Sequence, residues 1–359
     1  MSSDLRRHPV AYFALPLFEH IDTERFEVFC YSFSELESDE IQDFITSKVT
    51  AFRWLKDTAT PEVAQIIADD QLDMLIELGG STQMNKLTVM AFRAAPLQAS
   101  WLGYPHSAGL ETIDHLICDP FNAPERPELL IETPLIMPRT WIALGRQVFR
   151  EDMVIADGVP QDRSGVVTFG TANNPYKYTP EALTAWARVM ARVPGSRMLF
   201  VRPECGAAIF RRNIATVFEA EGIDPERLLF QAVRGAHMPR YNEIDISLDT
   251  FPLTGGTTTC EALWMGVPVV SLVGPAFYER LSYSILNNVD LGDLCAHTVP
   301  AFIDTAVGLA NDLERRRALR HTIRQRMIDG PLGQTEVFAR DFYDMVAKAV
   351  QTARTTTPA

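Results

Sequence analysis

Short apolar runs alternate along the chain with stretches of helical period. Phe26–Tyr31 reads as a strand, Pro61–Ala68 as a helix, and Leu72–Leu78 as a buried strand closed by Gly79-Gly80. A helix over Asn85–Ala94 follows, then short strands at Leu97–Leu102 and His115–Cys118. The stretch Ile142–Ser164 breaks the pattern: it is polar, carries Gly145, Gly158 and Pro160, and has no sustained period. A domain boundary is predicted there, dividing the chain into 1–150 and 151–359. The alternation then restarts, with strands at Val166–Phe169, Met198–Val201, Leu228–Gln231, Ile244–Leu248 and Val267–Leu272. Thr179 is a good N-cap, with Pro180 at the first position of a helix reaching about Val193. A last helix over about Glu336–Thr352 is counted with the second half. Strands separated by helices predict an α/β chain: two doubly wound domains with parallel sheets, facing a cleft where a ligand is expected at the strand carboxyl ends. The chain opens almost directly on a helix near Val10. Either the first sheet starts at Phe26–Tyr31, or upstream sequence is lacking.

Composition narrows the function classes. The length of 359 residues suits two domains. Lys and Arg total 33 against 46 Asp and Glu, a net charge of −13. Such a field argues against gripping nucleic acid or an anionic membrane, but leaves room for a local basic pocket around one small anion. There is no apolar run long enough to span a bilayer and no apolar signal region at the start. The five cysteines lie far apart with no CxxC, which predicts neither a zinc knuckle nor a disulfide framework. The cytoplasm is the expected compartment.

Four segments carry candidate chemistry. The first is Asp249–Pro268, where a strand ends, Gly255-Gly256 make a tight turn, Thr257, Thr258 and Thr259 follow, and a helix begins. Free N–H groups and the dipole at a helix start suit a phosphate, and Thr hydroxyls can donate to the same oxygens. Glu261, one turn in, can accept from ribose hydroxyls. An ordinary glycine turn with threonine caps fits the same residues. The second segment is Phe169–Pro180, another strand-to-helix loop, with Asn174 and the single cation Lys177. Lys177 is either a phosphate ligand or a solvated loop lysine. The third is Arg234–Met238, where His237 can stack on a base and Arg234 can reach a base carbonyl or a phosphate. The fourth is Ser2–Val10, with His8 ahead of the first helix as a general-base candidate. Neither a P-loop nor a G-x-G-x-x-G fingerprint occurs.

Together these segments resemble the catalytic region of O-linked N-acetylglucosamine transferases, including the bacterial SPINDLY-like members. The resemblance rests on Ser3-Asp4…His8-Pro9, Ala95–Pro105, Asn173-Asn174…Lys177 and Gly255–Val270. It implies a GT-B fold and inverting transfer of a sugar from a nucleotide donor, with UDP-GlcNAc the expected one, to Ser or Thr hydroxyls of a protein acceptor. It further implies that Lys177 contacts the diphosphate, that Thr257 and Thr258 cap it, and that Glu261 binds ribose. His237 then lies against the uracil with Arg234 at a basic position, Asn174 approaches the phosphates, and His8 sits near the sugar. The chain departs from the family in lacking its repeat region and in having Gly80-Ser81-Thr82 for Gly-His-Thr and Thr254 for Asn. No Asp-x-Asp occurs, so a metal-independent reaction is expected, with Lys177 and the helix start neutralising the leaving diphosphate. No cofactor is expected. Two alternatives stay open: a non-catalytic nucleotide-binding relic, and a GT-B nucleotide-sugar epimerase.

Overall fold

The computed structural model describes residues 1–356. It divides into two compact units, Met1–Val148 together with the segment from Pro331 onward, and Phe149–Gly330.

In the first unit, β1 (Phe29–Ser32) and β2 (Ala51–Trp54) form a parallel pair. A second parallel sheet runs in chain order through β3 (Met74–Glu77), β4 (Leu97–Ser100), β5 (His115–Cys118) and β6 (Thr133–Ile136). Helix α1 (Pro9–Glu19) starts at His8, with Pro9 at the position where its missing N–H costs nothing. Helix α2 (Glu40–Thr46) is capped by Asp39. Helix α3 (Thr60–Asp69) turns Val63, Ala64 and Ile67 onto Tyr31 and Leu75, the spacing of one buried helical stripe. The expected helix over Asn85–Ala94 is instead a 3-10 helix at Leu87–Phe92. Its β-branched Thr88-Val89 pair disfavours a longer α-helix, and Arg93 leaves it at φ 50.

The C-terminal helix, Thr335–Thr356, departs from the expectation that it belongs to the second half. It buries Phe338, Ala339, Phe342 and Tyr343 in the first unit. The Tyr343 hydroxyl donates to the Leu17 carbonyl at 2.9 Å, and Phe342 packs 4.9 Å from Trp101 between ring centroids. Arg139 pairs with Asp341 at 2.8 Å. Its apolar stripe complements α1 and the end of β4, which composition alone does not reveal.

The second unit is a six-stranded parallel sheet. Its strands are β7 (Thr168–Thr171), β8 (Arg197–Val201), β9 (Leu228–Gln231), β10 (Ile246–Leu248), β11 (Val269–Leu272) and β12 (Cys295–Ala296). Helices α4 (Pro160–Ser164), α5 (Pro180–Arg192), α6 (Ala208–Ala220), α7 (Thr257–Trp264), α8 (Leu281–Asn287), α9 (Val299–Asn311) and α10 (Leu313–Asp329) connect and cover them. The order β12-β11-β10-β7-β8-β9 reverses direction between β7 and β10. Chains leaving those two neighbours diverge, so the loops after them form a crevice at their carboxyl ends. The loops after β7 and β10 are the second and first of the segments singled out above.

Candidate functional site

The turn after β10 is shaped by a carboxylate beneath it. Asp249 is fully buried and accepts from the Thr250 N–H at 2.9 Å, the Gly255 N–H at 2.8 Å, the Ser271 hydroxyl at 2.7 Å and the Asn173 amide at 3.2 Å. Those bonds fold residues 250–255 back over the strand end. A Cβ on Gly255 would stand 2.3 Å from Thr259 Oγ1 and 3.0 Å from Asp249 Oδ1, so only glycine fits. Ser282 closes the far side, donating to the Gly255 carbonyl at 2.9 Å and bonding Thr259 Oγ1 at 2.8 Å. Helix α7 begins at Thr257 with no side chain capping it at Gly256. Among the described residues no protein group accepts from the Thr257 and Thr258 amides. These donors and the positive end of the helix make an electropositive face with the chemistry to meet an anion.

The loop after β7 delivers the cation. Lys177 lies in a 3-10 turn at Pro175–Lys177, and its Nζ donates to the Thr254 carbonyl at 2.8 Å. It is half-buried and held against the glycine turn, which excludes the solvated-lysine reading. Burial pulls its pKa down, and the neighbouring Asp249 charge opposes that. Burial pushes the Asp249 carboxyl up, opposed by Ser282, Ser271 and Lys177. The loop is anchored by Thr179, whose hydroxyl caps α5 at Ala182 and donates to the Phe251 carbonyl at 2.9 Å.

Two expectations shift here. Asn174 is exposed, and its side chain accepts from the Tyr176 N–H at 3.1 Å, capping the short turn. The buried amide is its neighbour Asn173, which accepts from the Thr258 hydroxyl at 2.7 Å and donates to Asp249. The Thr258 hydroxyl is therefore engaged with Asn173, and Thr258 offers the site its backbone N–H. The dipeptide was visible in sequence, but which asparagine turns inward is set by the partners that meet it.

His237 and Glu261, assigned separately to base and ribose, meet directly. His237 Nε2 lies 2.9 Å from Glu261 Oε2, and His237 Nδ1 lies 2.7 Å from the Gly235 carbonyl. Both ring nitrogens face acceptors, so the arrangement favours the imidazolium. The Glu261 bond raises the His237 pKa above its usual value, against the pull of burial. Tyr241 joins them, its hydroxyl donating to the Thr258 carbonyl at 3.3 Å and lying 3.4 Å from Glu261. Arg234 is exposed on the loop after β9 and makes no bond to this group. The second unit thus gathers Lys177, Gly255, Gly256, Thr257, Thr258, Glu261 and His237 around one helix start.

His8 belongs to the first unit. Its Nδ1 accepts from the Val10 N–H at 3.3 Å, capping α1, and lies 3.7 Å from Asp4 Oδ1. Burial lowers its pKa, with Asp4 opposing. An Nδ1 that accepts leaves the proton of the neutral ring on Nε2, so work as a base requires the other tautomer. Asn85 organises the segment, donating to Asp4 at 2.9 Å and accepting from the Ser3 N–H at 2.8 Å. The buried Glu77 holds the glycine turn nearby, accepting from Gly79 at 3.0 Å and Gly80 at 2.6 Å. Neither Asn85 nor Glu77 was singled out in the sequence. Among the described residues no group of His, Cys, Asp and Glu is placed to hold a metal ion, and no helix is long and apolar enough to cross a membrane.

The sequence model of glycosyl transferase family 41 matches residues 1–151 and 142–342. The chain is 33 % identical over 349 residues to the tomato (Solanum lycopersicum) protein named probable UDP-N-acetylglucosamine–peptide N-acetylglucosaminyltransferase SPINDLY, covering 95 % of this chain and 37 % of that protein. It is 21 % identical to the Caenorhabditis elegans UDP-N-acetylglucosamine–peptide N-acetylglucosaminyltransferase, covering 97 % of this chain and 40 % of that one. Among solved structures, a mutant O-GlcNAc transferase from Thermobaculum terrenum superposes with a TM-score of 0.88 at 30 % identity, covering 98 % of this chain and 68 % of that one. The chain spans little more than a third of the length of the curated relatives it matches.

Proposed function

The chain belongs to glycosyl transferase family 41 and has its GT-B fold, and from that premise we propose that it transfers a sugar from a nucleoside-diphosphate donor to Ser or Thr hydroxyls of proteins. The observation that carries this reading is the meeting of Lys177 with the uncapped start of α7 across the Gly255-Gly256 turn. One cation and a row of N–H donors converge where a leaving diphosphate needs them. The names of the relatives support UDP-GlcNAc as the donor and peptides as acceptors.

In the proposed reaction the acceptor oxygen bonds to the anomeric carbon as the bond from that carbon to the β-phosphate oxygen breaks. The electron pair leaves with the diphosphate, and attack opposite the leaving group inverts the anomeric centre. The growing negative charge is met by Lys177 and the Thr257 and Thr258 amides, fixed donors that need not reorganise. The His237–Glu261 pair offers the face of the imidazole ring to the base and the carboxylate to ribose. The acceptor proton goes to His8 in its Nδ1–H tautomer or to the phosphate itself. Metal independence follows from the Lys177 cation serving where other transferases use a metal held by paired aspartates. Free cysteines throughout the described residues suit a reducing compartment, the cytoplasm. The test is a panel of nucleotide sugars incubated with the protein and a bacterial lysate, read by intact mass. An N-acetylhexosamine-sized mass increase on lysate proteins with UDP-GlcNAc supports the reading. Donor consumed only to an altered free nucleotide sugar favours the epimerase alternative, and no consumption of any donor favours the relic.

A further inference from the structure

The amide end of α7 meets the donor in the reading above, but its carbonyl end is held by another helix. α7 has eight residues, a rise of about 12 Å. It closes in a Schellman turn: the Val267 N–H donates to the Ala262 carbonyl and the Gly266 N–H to the Leu263 carbonyl, both at 2.9 Å. Gly266 stands at φ 72, and a Cβ there would lie 2.6 Å from the Arg320 carbonyl, so α10 packs directly on the turn. These bonds leave the Trp264 and Met265 carbonyls with no backbone donor among the described residues.

Two arginines of α10, one turn apart on the same face, supply those donors. Arg324 Nε donates to the Trp264 carbonyl at 2.7 Å, and Arg320 Nη1 donates to the Met265 carbonyl at 3.1 Å. Each guanidinium is fixed on its other side as well. Arg324 Nη1 donates to the Met153 carbonyl at 2.7 Å, and its guanidinium stands 5.3 Å from the centre of the Trp264 ring. Arg320 Nη2 donates to Asn242 Oδ1. Arg320 is fully buried and Arg324 half-buried. Burial and the nearby Arg163 pull the Arg320 pKa down to about 10, against the attraction of Asp245, so it stays charged at neutral pH.

We infer that Arg320 and Arg324 are positioning residues for the donor diphosphate, acting through α7 from its far end; the inference rests on the reading of the α7 start as the diphosphate site. The carbonyl end of a helix carries about half a negative charge, which opposes the pull of the amide end on an anion. Two cations on the Trp264 and Met265 carbonyls cancel that opposition where little water screens them. Their bonds also fix the axis of a two-turn helix, and with it the direction of the Thr257 and Thr258 amides. Phosphate binding at one end of α7 thus depends on charge held at the other.

Calorimetric titration of UDP, with uridine read by its displacement of UDP, tests this where circular dichroism shows each variant folded. Arg324→Gln keeps an N–H donor for the Trp264 carbonyl but removes the charge; Arg324→Lys keeps the charge. A unit charge about 12 Å from another changes affinity about tenfold at an effective dielectric constant of about 20. Arg324→Gln is therefore expected to weaken UDP by at least about fivefold and uridine by less than about twofold, while Arg324→Lys stays within about twofold of the parent for both. Arg326→Gln removes a charge from the same helix at a side chain that donates to the Asp290 carbonyl instead, and should bind UDP as the parent does. If Arg324→Gln does not fold, Arg320→Gln applies the same test at the Met265 carbonyl. Unchanged UDP affinity in the folded Gln variant, equal losses for UDP and uridine, or an equal loss in Arg326→Gln overturns the inference while UDP binding by the parent leaves the site reading standing. A folded parent that binds no UDP overturns both.

Discussion

Replacing Lys177 separates the anion-site reading from a purely structural one. The Lys177→Ala variant removes the donor to the Thr254 carbonyl and the cation beside buried Asp249. A hydrogen bond from a charged group contributes about 1.5–3 kcal/mol when buried; the half-buried Lys177 belongs at the lower end, about 1–2 kcal/mol. The protein should therefore remain folded, with a lowered urea midpoint. Turnover should fall much further. Losing one preorganised donor to a developing anion costs about 10²–10³ in rate, roughly 3–4 kcal/mol. Product diphosphate binding should weaken too, since the charge is fully developed there. The assay pairs urea unfolding with donor turnover and calorimetric titration of the diphosphate. Lys177→Met, which keeps the aliphatic stem, guards against a loss caused by packing alone. Near-parent turnover in either folded variant would mean that the lysine serves only the loop and not the leaving diphosphate.

Three further outcomes are expected. His237 has a folded pKa raised by Glu261, so its contribution to stability is fully present below about pH 6.5 and is lost as pH rises through the raised value. Urea unfolding at stepped pH should show that loss in the parent and not in Glu261→Gln. Gly255→Ala should destabilise the second unit by about 1–3 kcal/mol through the clash with Thr259 and Asp249, and weaken diphosphate binding in calorimetry. Donor turnover should persist in excess chelator; a complete loss restored by manganese or magnesium would show that Lys177 is not the cation that matters.

Five strands of the second unit, β7 to β11, were legible because buried parallel strands are short continuous apolar runs, as Met198–Val201 illustrates. Strands that break that rule escaped. β2 is Ala-Phe-Arg-Trp and half-buried throughout, β6 carries Pro134 at an edge, and β12 is two residues long. The Gly255-Gly256 turn was legible because glycines, hydroxyls and a helix start fall together in sequence. The residues that hold it were not. Asp249 draws its bonds from Asn173, Gly255 and Ser271, positions a linear reading cannot bring together. The His237–Glu261 pair spans 24 residues and changes the expected role of both. The C-terminal helix shows the same limit: its helical run was legible, but not that Phe342 packs beside Trp101 in the first unit.

We propose that the start of α7, with Lys177 and the His237–Glu261 pair, is a uridine diphosphate site needing no metal. Calorimetric titration with UDP and GDP in excess chelator tests it most directly. One saturable UDP site is expected, with weaker GDP binding and a marked loss of UDP affinity in Lys177→Ala. No UDP binding by the folded protein, or tighter binding of GDP, would contradict it.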